Sequence, residues 1–344
     1  FPLIPRVLKS TNIAVPTQHK EIASMSTKSL GSIGIKTCCG LVGLLGIALC
    51  SAHAQAPSFI QPSTEYTTTM AGAPSMATLG DQIFIAFRSN DPSNSLWLKA
   101  STVGGSPLTW PNPAANFLQY SNMASDPKLG ANSSYLFVTY ALSSPTGEPQ
   151  VLWTPNGGET WYSNPALGIV GGYCGFVTFN SQELLLCPYY NGSSQLLNVF
   201  TFNGSQFVKT ATATIPDLIA SAPSAVEWNG DIYFAFETPG GNLGIGASSD
   251  GVNFGATVYT TTMASPPTMS VFNNLLQVAF QAQADNNYLF VKTSDVYGTF
   301  GNPATGYTIQ IGNTPALGLY GGYLYLGFEA ANGTHRLFTT YATH

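Results

Sequence analysis

Tyr66-Thr67-Thr68-Thr69-Met70-Ala71, followed by Pro74-Ser75-Met76, returns as Tyr259-Thr260-Thr261-Thr262-Met263-Ala264, followed by Pro267-Thr268-Met269. The offset is 193 residues. Without a gap it also pairs Ala86-Phe87 with Ala279-Phe280, Asn94 with Asn287, Leu96 with Leu289, Lys99 with Lys292 and Ser101 with Ser294. A second match sets Pro165-Ala166-Leu167-Gly168 and Gly171-Gly172-Tyr173 against Pro315-Ala316-Leu317-Gly318 and Gly321-Gly322-Tyr323, at offset 150. Both offsets fit a unit of about 48 residues, taken four and three times. Pro74, Pro127, Pro165, Pro223, Pro267 and Pro315 then open six units. A unit of that size made of short strands is a propeller blade.

One unit can be read strand by strand. Pro267 to Phe272 is an inner strand, Asn273-Asn274 a turn, and Leu275 to Gln281 an apolar strand ending in Ala-Phe-Gln. Asp285-Asn286-Asn287 marks the next turn, Tyr288 to Thr293 alternates, and an outer strand falls near Tyr307 to Ile311. Strand formers and turn residues every 8–12 positions leave no helical period. The expected fold is all-β: a six-bladed β-propeller of four-stranded antiparallel blades. The last unit runs out after its third strand. Glu65 to Met70, in the place of the outer strand around Tyr259, supplies the fourth and closes the ring. A pair of unrelated sandwiches is the competing architecture, but it does not predict the spacing.

The 344 residues divide into three stretches. Met25 opens a segment with Lys28 and Lys36, an apolar run from Leu41 to Leu49, and Ala52-His53-Ala54 as a small-x-small cleavage site. Residues 25–54 therefore read as a signal peptide, residues 1–24 as an upstream or non-native extension, and residues 55–344 as one propeller domain. Cys50 as a lipid-anchored cysteine is the minor alternative, since Leu49 before it fits poorly. Removal of 1–54 takes Arg6, Lys9, Lys20, Lys28, Lys36 and Glu21. It leaves six basic against 15 acidic residues, net −9. Only Arg88 and Arg336 remain as arginines. Such a chain suits neither a nucleic acid nor an anionic membrane, and no later apolar run reaches the length of a membrane span. The expected protein is a secreted or periplasmic monomer.

Cys174 and Cys187 remain, 13 positions apart on neighbouring strands. An exported chain favours a disulfide between them; two buried free thiols are the alternative. His335 and His344 are the remaining histidines, so neither a metal site nor a Ser–His–Asp set is expected. No cofactor motif occurs. Asn132, Asn191, Asn203 and Asn332 lie in N-glycosylation sequons.

Thr154-Pro155-Asn156-Gly157-Gly158-Glu159-Thr160-Trp161 resembles the Asp-box of sialidase-like BNR propellers, with Asn in place of Asp. Ser248 to Phe254, Thr201 to Phe207 and Thr293 to Phe300 are shorter or degenerate copies. In each, an Asp or Asn side chain bonds local amides, a Gly takes positive φ, and an aromatic residue packs between sheets. The resemblance covers most of residues 57–344 and implies the propeller fold. It also implies a sialidase site with three arginines on the substrate carboxylate. Two arginines cannot build that cluster, so sialidase activity is not expected.

In propellers of this kind the ligand lies on the axial face where second strands end. The residues after the second-strand aromatics are Arg88, Ala141, Glu237, Gln281 and Glu329, with Tyr189 or Tyr190 in the third unit. Arg88, Tyr189, Glu237, Gln281 and Glu329 form a candidate ring with the planar polar groups and aromatic face that suit a sugar. Three readings follow. Non-catalytic carbohydrate binding leads, with a glycan or cell-surface ligand. The second is a glycoside hydrolase using Glu237 and Glu329, joined by Asp91 and Asp285. The third is a structural or protein-interaction propeller. The Asn90–Asn94 and Asp285–Asn287 loops read first as hairpin turns, and the five tryptophans as inter-blade core.

Overall fold

The computed structural model describes residues 55–61, 63–102, 108–110, 122–143, 147–171, 173–190, 192, 194–215, 219–283, 287–301 and 303–343. The signal segment, Cys50, Asp285, Asn286, Asn191 and His344 lie outside them. No helix occurs among the described residues. Their strands form six antiparallel sheets in a ring, a six-bladed β-propeller. Inner strands are Ser75–Leu79, Lys128–Ala131, Gly175–Phe179, Ser224–Trp228, Thr268–Phe272 and Ala316–Tyr320, each packed against the next and the last against the first. Blades 2 to 6 have four strands; blade 1 shows three among the described residues, Ser75–Leu79, Gln82–Arg88 and Leu96–Ala100.

The inner hairpins follow from local chemistry. Five of them turn in two residues, including Asn273-Asn274 at φ 53° and 57° and Asn229-Gly230 at 53° and 82°. Both central residues at positive φ give the turn whose twist matches antiparallel strands, and Asn or Gly tolerates it. Leu275–Gln281 and Tyr288–Thr293 are strands with the limits expected from the sequence. Along each second strand nearly every residue is buried, since both faces meet a neighbouring blade; Gln82–Arg88 is typical.

The ring closes as expected. Thr64–Thr69 pairs antiparallel with Arg336–Ala342, the third strand of blade 6, with Glu65 opposite Phe338. Arg336 Nη1 donates to Glu65 Oε1, and Phe59 packs in the blade 6 core.

The repeated lysines also find an explanation. Lys99 Nζ lies 5.1 Å from the Tyr66 ring centroid and Lys292 Nζ 5.4 Å from that of Tyr259. Each is a cation–π contact from a third strand to the outer strand of the preceding blade. Burial lowers both ammonium pKa values, that of Lys99 to about 8. Trp110, Trp153 and Trp228 are buried core residues, as expected.

One unit boundary must be corrected. Pro74, Pro127, Pro223, Pro267 and Pro315 each immediately precede an inner strand, whereas Pro165 stands ten residues before Gly175. The match of Pro165–Tyr173 to Pro315–Tyr323 therefore pairs a connection with an inner hairpin. In blade 3 the proline position is held by Cys174. It is disulfide-bonded to Cys187 on the adjoining strand, with Cα atoms 4.3 Å apart. A cross-strand disulfide rigidifies the place where the other blades use a fixed φ.

The turns after third strands are built as their composition requires. Asp250 Oδ1 accepts from the Val252 and Asn253 amides, Asp295 Oδ1 from Tyr297 and Thr299, and Asn203 Oδ1 from Ser205 and Gln206. Those bonds hold the Asp250 carboxyl far below its usual range. Asp91 likewise accepts from the Ser93 amide in its turn.

Candidate functional site

Crossovers carry the chain from one blade to the inner strand of the next, all on one face. Five are anchored alike among the described residues. The amides of Ala71, Ala124, Ala220, Ala264 and Gly312 donate to the carbonyls of Arg88, Ala141, Glu237, Gln281 and Glu329, at 2.7 to 2.9 Å. The expected ring residues therefore share one register and hold the crossovers. In blade 3 that register falls on Pro188, because Gly175 pairs with Leu186. Tyr189 is one residue beyond it, which corrects its assignment to the ring.

What closes on the axis is a different set. The residue before each inner-strand opener is Ala73, Asp126, Tyr173, Ala222, Pro266 or Thr314. These six, with Ser125, Lys128, Ala220 and Ser221, line a cavity of about 200 Å³ at the axial mouth. Three of the six bear functional groups. The second-strand residues stand behind this ring. Arg88 Nη2 lies 3.7 Å from Asp126 Oδ1 and donates to the Ala71 carbonyl at 2.9 Å. Burial pushes the Asp126 carboxyl up, against the pull of the Ala73 amide, Lys128 and Arg88. Glu329 is buried, 2.5 Å from His335 Nδ1. Its carboxyl too is raised, by burial first and by Asp126, while His335 and Asn313 oppose. Glu237 is half-buried, and burial raises its carboxyl. The buried Gln281 amide donates to the Ile311 carbonyl at 2.6 Å, a bond that ties the crossover leading into blade 6 back to blade 5.

Behind the mouth runs an axial channel of about 330 Å³ lined by the inner strands. Glu183 reaches it from blade 3 and is 2% exposed. Thr178 Oγ1 lies 2.7 Å from Glu183 Oε2 and 3.1 Å from the Ala131 carbonyl. Burial raises the Glu183 carboxyl to about 8. Gly130 makes the room, since a Cβ there would stand 2.8 Å from Glu183 Oε1.

Beside the mouth a second cavity, of about 310 Å³, opens over blade 3. Its walls include Val170, Tyr173, Tyr189, Tyr190 and Gln195, and it shares Tyr173, Ala220 and Ser221 with the mouth. Sequence reasoning reached Tyr189 and Tyr190 but missed Asp126, Tyr173, Thr314 and Glu183. The residues before the opening prolines were the available signal for Asp126 and Thr314. The misplaced unit boundary at Pro165 hid Tyr173. No group of three or more His, Cys, Asp or Glu able to hold a metal ion occurs among the described residues.

No protein-family profile matches the chain, and no curated protein sequence does. Solved structures do match. A protein of unknown function from Dyadobacter fermentans superposes with TM-score 0.62 at 12% identity, over 83% of this chain and 100% of that one. Trypanosoma rangeli sialidase, in complex with sialic acid, gives TM-score 0.53 at 10% identity, over 84% of this chain and 59% of that one. Aleuria aurantia lectin, in complex with α-methyl-L-fucoside, gives 0.52 at 8% identity, over 82% and 97%. At these identities the likeness is one of fold, and the fold is the sialidase-like propeller.

Proposed function

We propose that this chain is a non-catalytic carbohydrate-binding propeller whose site is the axial mouth. The observation that carries the reading is the lining of that cavity. Asp126, Lys128, Thr314, Tyr173 and the serines Ser125 and Ser221, whose hydroxyls accept from the Ala141 and Glu237 amides, line one concave space. A sugar needs in-plane donors and acceptors for its hydroxyls and an apolar face for its C–H surface. A lectin among the fold neighbours supports the same class. Arg88, Glu237, Gln281 and Glu329 act here by holding the crossovers that carry these groups. The hairpins at Asn156, Asn203, Asp250 and Asp295 are Asp-box-type turns with a structural role. The protein acts as an exported monomer, released from its signal at Gln55; the disulfide fits an oxidising compartment.

The test is a glycan array probed with the full chain. Dose-dependent binding to one sugar family, weakened by Asp126→Asn and Tyr173→Ala, supports the reading, and a blank array overturns it. The hydrolase alternative draws on the raised carboxyls of Asp126 and Glu329, since an acid catalyst needs such a shift. Release of a reducing end from a bound glycan over hours would move the assignment there.

A further inference from the structure

Blade 3 departs from the repeat on the axial-mouth side. Crossovers 70–74, 263–267 and 311–315 have five residues, whereas those flanking blade 3, 164–174 and 216–223, have eleven and eight. The second strand of blade 3, Gln182–Tyr190, has nine residues, against seven in Gln82–Arg88, Asp231–Glu237, Leu275–Gln281 and Tyr323–Glu329. The extended strand end, with Val170 and Tyr173 of the first crossover and Ile219 to Ser221 of the second, walls the 310 Å³ recess on the axial-mouth face. Within it Tyr173 and Tyr190 are 51% and 56% exposed, Val170 is 58% exposed, and Gln195 is buried at its base. The buried Cys174–Cys187 bridge fixes the chain beside Tyr173. Half-exposed tyrosines held by a disulfide and an extended hairpin form a preorganised stacking surface.

The recess and the mouth share Tyr173, Ala220 and Ser221, so one ligand can occupy both. Charge narrows its class. The Arg88 guanidinium is already committed to Asp126 and to the Ala71 carbonyl, and the three carboxyls of Asp126, Glu237 and Glu329 outnumber Arg88 and Lys128 around the mouth. An acidic sugar brought here meets like charge.

Resting on the carbohydrate reading above, we infer that the chain binds one neutral oligosaccharide of at least two units. One unit sits in the mouth and the next stacks on the blade 3 tyrosines. The break in the repeat makes this a single site per chain, where an unbroken repeat would offer several.

Titration calorimetry of the full chain tests this with cellobiose, lactose and N,N′-diacetylchitobiose. Their constituent monosaccharides, 3′-sialyllactose and digalacturonate are run alongside. The expected result is a stoichiometry of one, with a neutral disaccharide bound at least tenfold more tightly than its monosaccharide and the acidic pair weaker than either. Tyr190→Ala and Tyr189→Ala lie outside the mouth. They should lower disaccharide affinity about tenfold and leave monosaccharide affinity within twofold. Equal affinity for mono- and disaccharide, several sites per chain, tighter acidic ligands, or tyrosine variants without effect would overturn the two-subsite assignment while carbohydrate binding stands. No binding to any of these sugars or to the array overturns both.

Discussion

The Asp126 carboxylate of blade 2 stands 3.7 Å from the Arg88 guanidinium of blade 1, packed against Gly72 of the crossover between blades 6 and 1. A Cβ at Gly72 would come within 2.1 Å of Asp126 Oδ1. One functional group is thus positioned by three blades.

That packing sets the first prediction. Gly72→Ala should displace the Asp126 side chain and destabilise the fold by about 1–3 kcal/mol, as overpacking does. Asp126→Asn removes a partly desolvated charge from a pair of modest worth, so stability should change by under about 1 kcal/mol. Both variants should weaken glycan binding about tenfold. Urea unfolding and calorimetry on the same preparations separate the two effects.

Glu183 sets a pH dependence. Its folded-state pKa, about 8, lies above the ordinary carboxyl value of 4.5, so the fold holds a proton that the unfolded chain releases. Stability should be highest below pH 4.5 for this group and fall as pH rises to about 8. Asp126, Glu237 and Glu329 are raised too and add to the same slope. Lys99 acts in the next window: its lowered pKa makes stability recover from about pH 8 toward 10.5. Urea midpoints taken from pH 5 to 10 should therefore pass through a minimum, and Glu183→Gln should flatten the falling limb.

Ring closure is tested by truncation. A chain beginning at residue 71 loses Thr64–Thr69 and bares the edge of Arg336–Ala342. Size-exclusion chromatography should show self-association, and amide exchange along 336–342 should accelerate by orders of magnitude. Arg336→Ala removes only the exposed pair with Glu65 and should cost under about 1 kcal/mol.

The Cys174→Ala/Cys187→Ala double variant should lose about 2–4 kcal/mol of stability, the usual worth of a bridge closing a short loop. Its effect should reach the blade 3 recess before the ring, because Tyr173 adjoins the bridge. Tyr173 proteolytic accessibility, measured by chymotrypsin, should rise at denaturant concentrations where the far-ultraviolet spectrum is unchanged.

The sequence carried the fold because a propeller repeats its physics. Pro74 and Pro267 open equivalent strands, and Lys99 and Lys292 cap equivalent tyrosines, so matched letters meant matched places. The site resisted the same method. It is made where the repeat lapses, at Tyr173 and Tyr190, and a search for likeness is blind to a lapse. Pro165–Tyr173 misled because a short match of small residues can recur in a connection without sharing its backbone. Glu183 was hidden for another reason: a carboxyl within an apolar strand reveals its burial only when the neighbouring blade is in place.

The seam between Thr64–Thr69 and Arg336–Ala342 also bears on how the protein comes into being. Thr64–Thr69 leaves the ribosome long before Arg336–Ala342, the strand it pairs with. Until that strand is made the ring stays open, and a contact of long sequence separation must wait for it. A chain cut short before Arg336 leaves the first strand without its partner.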